Sequence, residues 1–294
     1  MKVTKAIIPA AGFGSRMLPI SKSIPKEMLP IVDKPALQYI VEEAVAAGIE
    51  DILIVTSRGK GVIEDYFDRM PELEQVLSRQ GKQDYLESVI RTSRLANISF
   101  IRQPEINGLA NAVFAGRSFA GDDPFMVLYG DDVIISEVPV TKQLMDAYDE
   151  FRLPVLGIQE VEERYISLYS SMKVGRIRDN IYRVEDMMEK PGIDRYFSLY
   201  AILGRCLLTP DIFDIIASQK PGAGGEVQLT DAIRTIAAST GCIGVDFDGR
   251  RYDIGNKVGY LKANVELGLM NPETADAFKS YLASLNLDEF QKLY

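Results

Sequence analysis

Six short segments of this chain carry residue types suited to phosphate chemistry. The first is Pro9-Ala10-Ala11-Gly12-Phe13-Gly14-Ser15-Arg16. Its small residues and two glycines let the backbone approach a phosphate or a base closely, with N–H groups turned inward. Arg16 adds a rigid fork of donors for phosphate oxygens. No Gly-Lys-Ser/Thr follows, so this is not a P-loop, and Met17 stands where a dinucleotide fingerprint needs its third glycine. An ordinary glycine turn would look the same. In the second segment Pro25 and Pro30 stiffen a loop around Lys26 and Glu27, where Lys26 can meet phosphate as a point charge. A surface ion pair is the plainer alternative. The third, Tyr129-Gly130-Asp131-Asp132, follows the apolar run PFMVL. Carboxylates at the C-terminal end of a parallel strand face the crevice where α/β proteins bind ligands, and Asp131 suits Mg²⁺, which prefers hard oxygen ligands.

The remaining three are weaker singly. Glu189-Lys190-Pro191 ends a β-like stretch. Strand alternation would put Glu189 and Lys190 on opposite faces, unless the proline breaks the regularity. There Glu189 would accept from sugar hydroxyls and Lys190 would hold a sugar phosphate. Residues 221–231, containing Glu226, Thr230 and Asp231, form a glycine loop feeding a helix. In Arg250-Arg251-Tyr252-Asp253-Ile254-Gly255, Asp253 becomes interesting only as a partner of Asp131 across a metal ion.

Composition narrows the chemistry. The 294 residues contain no histidine. That excludes Ser-His-Asp and Cys-His catalysis, phosphohistidine and His-ligated metals, and leaves carboxylates, lysine, arginine, amides and a hard metal ion. The net charge of −9 argues against general nucleic-acid binding, which needs a basic face. Cys206 and Cys242 form no CxxC pair and read as free thiols. No run nears the ~18 apolar residues of a membrane span, and the N-terminus reads as strand and loop rather than an export signal. A cytoplasmic protein that binds neither membrane nor nucleic acid is expected.

The elements that must position these segments alternate along the chain. Strands are expected at 3–9, 51–56, 98–101 and 124–129, with helices at 36–48, 63–67, 72–95 and 107–119. This βα rhythm predicts an α/β fold whose mostly parallel central sheet is covered on both faces. After residue 154 shorter β-like pieces follow at 155–159, 173–177, 182–188, 199–203 and 242–247, between helices at 210–217, 228–238 and 257–269 and an amphipathic tail over 273–293. We expect one domain: a nucleotide-binding half over 1–153, a smaller β-rich sugar-binding half over 154–255, and a C-terminal helical region over 256–294.

In their order, PAAGFGSRMLP, IPKEMLPIVDKPALQYIVEEA, GDD, EKP, KPGAGGEVQLTDAI and RRYDIGNKVGYLKANVE resemble the sequence blocks of the bacterial UTP–glucose-1-phosphate uridylyltransferases from about residue 5 to 269. The resemblance implies a Rossmann-like nucleotidyltransferase fold and a Mg²⁺-assisted in-line attack of glucose 1-phosphate on the α-phosphorus of UTP. It implies a nucleotide lined by Ala10, Ala11, Gly12 and Gly14, with Glu27 and Asp132 nearby and Gln103 and Gly108 reading uracil. Asp131 and Asp253 would bind the metal, Arg16 and Lys26 would stabilise the β,γ-phosphates, and Lys190 the attacking phosphate. Glu189, Glu226 and positions 170 and 199 would border the sugar. This chain departs from the family pattern at Ala110-Asn111, at Ser170 after Tyr169, and at Leu199 after Ser198. A thymidylyltransferase, a uridylyltransferase for another sugar, and a non-catalytic regulatory binder of UDP-sugar therefore stay open. A homodimer or homotetramer is expected.

Overall fold

The structure, a computed structural model, describes residues 2–290 apart from 193, 221, 223 and 224. Part of the glycine loop over 221–231 and the last four residues of the chain thus lie outside the described residues. The strands in chain order are β1 (Lys5–Pro9), β2 (Pro30–Ile31), β3 (Lys34–Pro35), β4 (Asp51–Thr56), β5 (Asn97–Arg102), β6 (Phe125–Leu128), β7 (Asp132–Ile135), β8 (Val155–Glu160), β9 (Ser170–Arg178), β10 (Ile181–Glu189), β11 (Tyr200–Leu208), β12 (Ile243–Asp246) and β13 (Arg250–Asp253). Nine of them form one sheet in the order β5-β4-β1-β6-β11-β8-β12-β10-β9.

Alternation along the central strands builds two cores. In β1, Ala6 and Ile8 face one side and Ile7 the other; in β4, Ile52 and Ile54 oppose Leu53 and Val55; in β6, Met126 and Leu128 oppose Phe125 and Val127. Successive side chains of a strand point to opposite faces, so a strand apolar at every position must be covered twice. Helices Ala36–Ala46, Val140–Phe151 and Lys257–Met270 cover the first face, and helices Leu109–Phe114, Asp211–Ser218 and Leu229–Ser239 the second.

The parallel character holds from β5 through β6. Beyond β6 the sheet is mixed. There β11 runs antiparallel to both β6 and β8, β12 is parallel to β8, and β10 is antiparallel to β12 and β9. The β-rich half therefore extends the same sheet. Three expected helices divide. The 107–119 region is Leu109–Phe114 and Arg117–Ala120. The 72–95 region is Pro71–Arg79 and Gln83–Thr92, broken at Gly81, whose φ of 66° ends a helical run. The tail consists of Ala275–Ser284 and Leu287–Phe290. Helix Val140–Phe151 and the ribbon of β7 with β13 were not expected. That ribbon, lying outside the main sheet, pairs Asp253 with Asp132.

Behind β11 a buried ion pair links three elements. Arg205, with no exposed surface, donates to both carboxylate oxygens of Glu43, and Glu43 also accepts from the Thr141 backbone N–H and hydroxyl. A buried guanidinium left unpaired would cost about 3–5 kcal/mol, so Glu43 fixes strand β11 to helices Ala36–Ala46 and Val140–Phe151.

Candidate active site

The loop after β1 presents a run of free donors. The Ala10 N–H is held by the Val55 carbonyl at 2.8 Å. Among the described residues, none accepts from the next four N–H groups, Ala11 to Gly14. Ala11 is buried, where a backbone donor is seldom orphaned, and successive unpaired N–H groups make a cradle for an anion. Gly12 borders a cavity of about 230 Å³ that is also lined by Lys26, Glu27, Gln103, Gly108 and Glu226. A Cβ at Gly12 would meet no protein atom within 4 Å, so nothing in the fold demands glycine there. Gly108 is the opposite case. Its φ is 117°, and a Cβ would lie 2.5 Å from the Val227 carbonyl oxygen. That closeness lets Val227 accept from the Ala110 N–H at 3.2 Å and donate to the Asn107 carbonyl at 3.1 Å.

A second cavity, of about 450 Å³, is lined by Arg16, Asp132, Ser170, Glu189, Lys190, Arg251 and Asp253, among others. Asp131, Tyr129 and Leu109 line both cavities, so the two meet along these residues. Residues 226 and 228 flank the wall between them: Glu226 borders the smaller cavity and Gln228 the larger. Glu226 thus borders the smaller cavity rather than the larger one that Glu189 and Ser170 line. Its neighbour Val227 is tied to the 107–110 segment, which turns 226 toward the smaller cavity.

Asp131 and Asp253 converge. A Cβ placed on Gly255 would lie 2.4 Å from Asp131 Oδ2, 3.0 Å from Asp253 Oδ1 and 2.9 Å from Arg16 Nη2. The ribbon of β7 and β13 creates this approach, helped by the Ile254 N–H donating to the Asp131 carbonyl at 2.9 Å. Lys26 donates to Asp131, and Arg16 stands 3.9 Å from Asp131 and 3.7 Å from Asp253. Burial works against the charge on Lys26, but Asp131 and Glu27 outweigh it and raise its pKa. Burial pushes the Asp131 carboxyl up, yet Lys26, Arg16 and Arg251 bring it below the usual range. Both groups are therefore ionised near neutral pH. Among the described residues no three His, Cys, Asp or Glu side chains gather as a metal cluster. Two hard carboxylates do fit Mg²⁺, which keeps waters and takes further ligands from substrate phosphates.

Asp132 lines the larger cavity and not the smaller one. It receives the Arg251 Nε at 2.7 Å, and burial pushes its carboxyl up to about 6. The Arg251 guanidinium lies 4.8 Å from the centre of the Tyr169 ring, and the Tyr169 hydroxyl donates to Asp253 Oδ2 at 2.9 Å. Arg251 and Tyr169 thus aim two of the acids. Alternation could have signalled Arg251, because residues 251 and 253 share a face of β13.

The end of β10 breaks alternation. Lys190 has φ of 44°, although the residue before a proline favours extended backbone. The left-handed turn costs about 1–2 kcal/mol and is held by the Lys190 N–H donating to the Tyr169 carbonyl at 2.9 Å. It brings Glu189 and Lys190 into one cavity, as the proline suggested. Glu189 accepts from the Thr230 hydroxyl at 2.6 Å, and Ser170, its partner across β9, accepts from the Ile202 N–H at 3.0 Å.

Three expected contacts lie elsewhere. Leu199 is half-buried outside the cavity lining, and its carbonyl accepts from the Val161 N–H at 3.0 Å. Ala10 packs into the core, and Gly14 lies at the left-handed turn beyond the cavity lining. Lys60, which the motifs did not flag, is buried and donates to Glu27 at 2.9 Å and to the Ala10 carbonyl. Its signal is positional: it follows the C-terminal end of β4, beside the end of β1.

Residues 5–268 match the family described as nucleotidyl transferase. A UTP–glucose-1-phosphate uridylyltransferase 2 from Staphylococcus saprophyticus is 48% identical over 98% of this chain and 99% of that protein. A UTP–glucose-1-phosphate uridylyltransferase from Staphylococcus haemolyticus is 48% identical over 97% and 99%. A UDP-glucose pyrophosphorylase solved with UDP-glucose superposes with a TM-score of 0.85 at 39% identity, covering 92% of this chain and all of that one. A UTP-bound UGPase from Acinetobacter baumannii gives 0.89 at 33% identity, covering 97% and all of that chain. With a cradle, paired aspartates and cations arranged for phosphate chemistry, and with similarity along nearly its whole length, this chain belongs to the nucleotidyl transferase family.

Proposed function

We propose that this protein makes UDP-glucose and pyrophosphate from UTP and glucose 1-phosphate. The observation that carries this reading is the meeting of two differently lined cavities at Asp131, with Arg16, Lys26 and Lys190 around the junction. The names of its relatives and the ligands of its structural neighbours support the choice of UTP and UDP-glucose.

In this mechanism UTP occupies the smaller cavity. Its phosphates lie along the N–H groups of Ala11 to Gly14, its base beside Gln103 and Gly108, and its α-phosphorus at the junction. The sugar lies in the larger cavity against Glu189 and Ser170. Lys190 holds the phosphate of glucose 1-phosphate. One of that phosphate's oxygens forms a bond to the α-phosphorus while the bond from the α-phosphorus to the bridging oxygen breaks. The electron pair leaves with pyrophosphate. The nucleophile is already an anion, so no general base is needed, in keeping with a chain without histidine. Arg16 and Lys26 neutralise the leaving phosphates, and alignment with preorganised charge supplies the rate. Asp131 and Asp253 would hold Mg²⁺, whose chemistry there is neutralisation of phosphate charge.

We divide the chain into a nucleotide half over 1–153, a sugar half over 154–255 and a helical region beyond. We read it as a cytoplasmic homodimer or homotetramer. No described helix is long and apolar enough to cross a membrane, and the buried free thiols Cys206 and Cys242 suit a reducing compartment. The test is pyrophosphate release from UTP or dTTP with glucose or galactose 1-phosphate, with and without Mg²⁺. Turnover that is greatest with UTP and glucose 1-phosphate and abolished by chelation is expected. No release with any pair would refute the reading.

A further inference from the structure

Beneath the nucleotide loop one buried carboxylate lies between two lysines. Glu27 is 1% exposed, and its Oε2 accepts from Lys60 at 2.9 Å. Its sequence neighbour Lys26 also acts on it electrostatically, although the Lys26 ammonium is bonded to Asp131. Lys60 is 7% exposed, borders neither cavity, and uses a second proton to hold the Ala10 carbonyl. That carbonyl belongs to the peptide whose N–H is Ala11, the first free donor of the cradle. Glu27 in turn packs under Gly130, where a Cβ would lie 3.2 Å from Glu27 Cγ and 2.9 Å from the Pro9 carbonyl oxygen. Gly130 directly precedes Asp131.

From this geometry we infer that Lys60 is a positioning residue for the nucleotide, acting in two ways without touching it. It turns the Ala10–Ala11 peptide so that its N–H faces the cavity. It also satisfies Glu27, so that Glu27 does not draw Lys26 away from Asp131 and the triphosphate. A buried carboxylate that loses its partner seeks another or takes up a proton, and Lys26 is the nearest alternative cation. The inference rests on reading the smaller cavity as the UTP site.

The test uses Lys60→Met, Lys60→Gln and the double variant Lys60→Met/Glu27→Gln in the full chain, with separate KM values for UTP and glucose 1-phosphate and a thermal melt for each. Lys60→Met should raise KM for UTP by about 10- to 100-fold, the scale of a lost charge-assisted hydrogen bond, and leave KM for glucose 1-phosphate within about twofold. The double variant should recover part of that loss, because it removes the orphaned charge. Lys60→Gln, which can still donate to Ala10, should fall between Lys60→Met and the native protein. If Lys60→Met does not fold, Lys60→Gln and the double variant carry the test by the same KM ratio. Equal rises in both KM values, or an unchanged KM for UTP in a folded variant, would overturn the inference. A native protein that releases no pyrophosphate would instead sink the proposed function, so the two failures are distinguishable.

Discussion

The two cavities that meet at Asp131 have walls of different kinds. The smaller relies on backbone: the free N–H groups of Ala11 and Gly12, a glycine at 12 that the fold does not require, and a glycine at 108 that it does. The larger relies on side chains delivered by strand ends: Ser170 from β9, Glu189 from β10 and Asp253 from β13, with Lys190 immediately beyond β10. A backbone cradle accepts any ligand with correctly spaced anionic oxygens. A side-chain wall is specific to the hydroxyls it faces and is readily altered by substitution. On the proposed function, the comparison teaches that the smaller cavity should tolerate change poorly at its small residues, while the larger should change preference without losing the reaction.

The largest effects should come from the groups at the junction. Asp131→Ala removes a carboxylate common to both cavities, and turnover should fall by about 10²–10³ with an unchanged circular dichroism spectrum. A variant within threefold of native turnover would break the picture of a shared centre. Lys190→Ala should lose rate on a similar scale but separate the halves. Calorimetry should find UTP binding intact and glucose 1-phosphate binding weakened. Weakened UTP binding with the sugar phosphate unaffected would reverse the assignment of the cavities.

A smaller effect should sharpen the comparison from the nucleotide side. Gly12→Ala has room in the protein, so its melting temperature should be unchanged or slightly higher, because alanine restricts the unfolded chain. KM for UTP should nevertheless rise at least about tenfold, since the added methyl stands where the ligand must approach the backbone. A drop in stability instead would mean that glycine serves the fold. The smallest effect concerns the seam. Cys206 sits on β11 between β6 and β8, and burial pushes its thiol up to about 12; burial raises Cys242 as well. Below that value both remain protonated and unreactive. Neither should be alkylated by iodoacetamide at pH 8 in the native protein, and both should be in denaturant, as read by mass spectrometry. Labelling of Cys206 in the folded state would show that the seam opens.

The smaller cavity's side was legible because its signals are local. An apolar run followed by small residues and glycine, or by Gly-Asp-Asp, shows a strand end in a few consecutive letters, and β1 and β6 lie where those letters put them. The larger cavity's side was legible in part. Glu189 and Lys190 share a cavity because the chain turns at Lys190, held by its N–H on the Tyr169 carbonyl; the proline marks the break in sequence, but the partner that holds the turn is not visible there. Position 199 looked equivalent to 170, yet it falls outside the cavity lining, because strand pairing rather than local spacing decides which side chains line a wall.

What the sequence indicated by itself was a class of chemistry: no histidine, a glycine-rich loop, and carboxylates and cations of the types that suit phosphate transfer. What the tertiary structure decided was the geometry. Asp131 and Asp253 are distant along the chain, and the β7–β13 ribbon that joins them is two four-residue strands whose pairing neither strand specifies alone. The same holds for Lys60 under the cradle and for Arg205 against Glu43. A buried charge needs a partner, but the need has no sequence period and no fixed spacing, so only the folded chain shows which partner meets it.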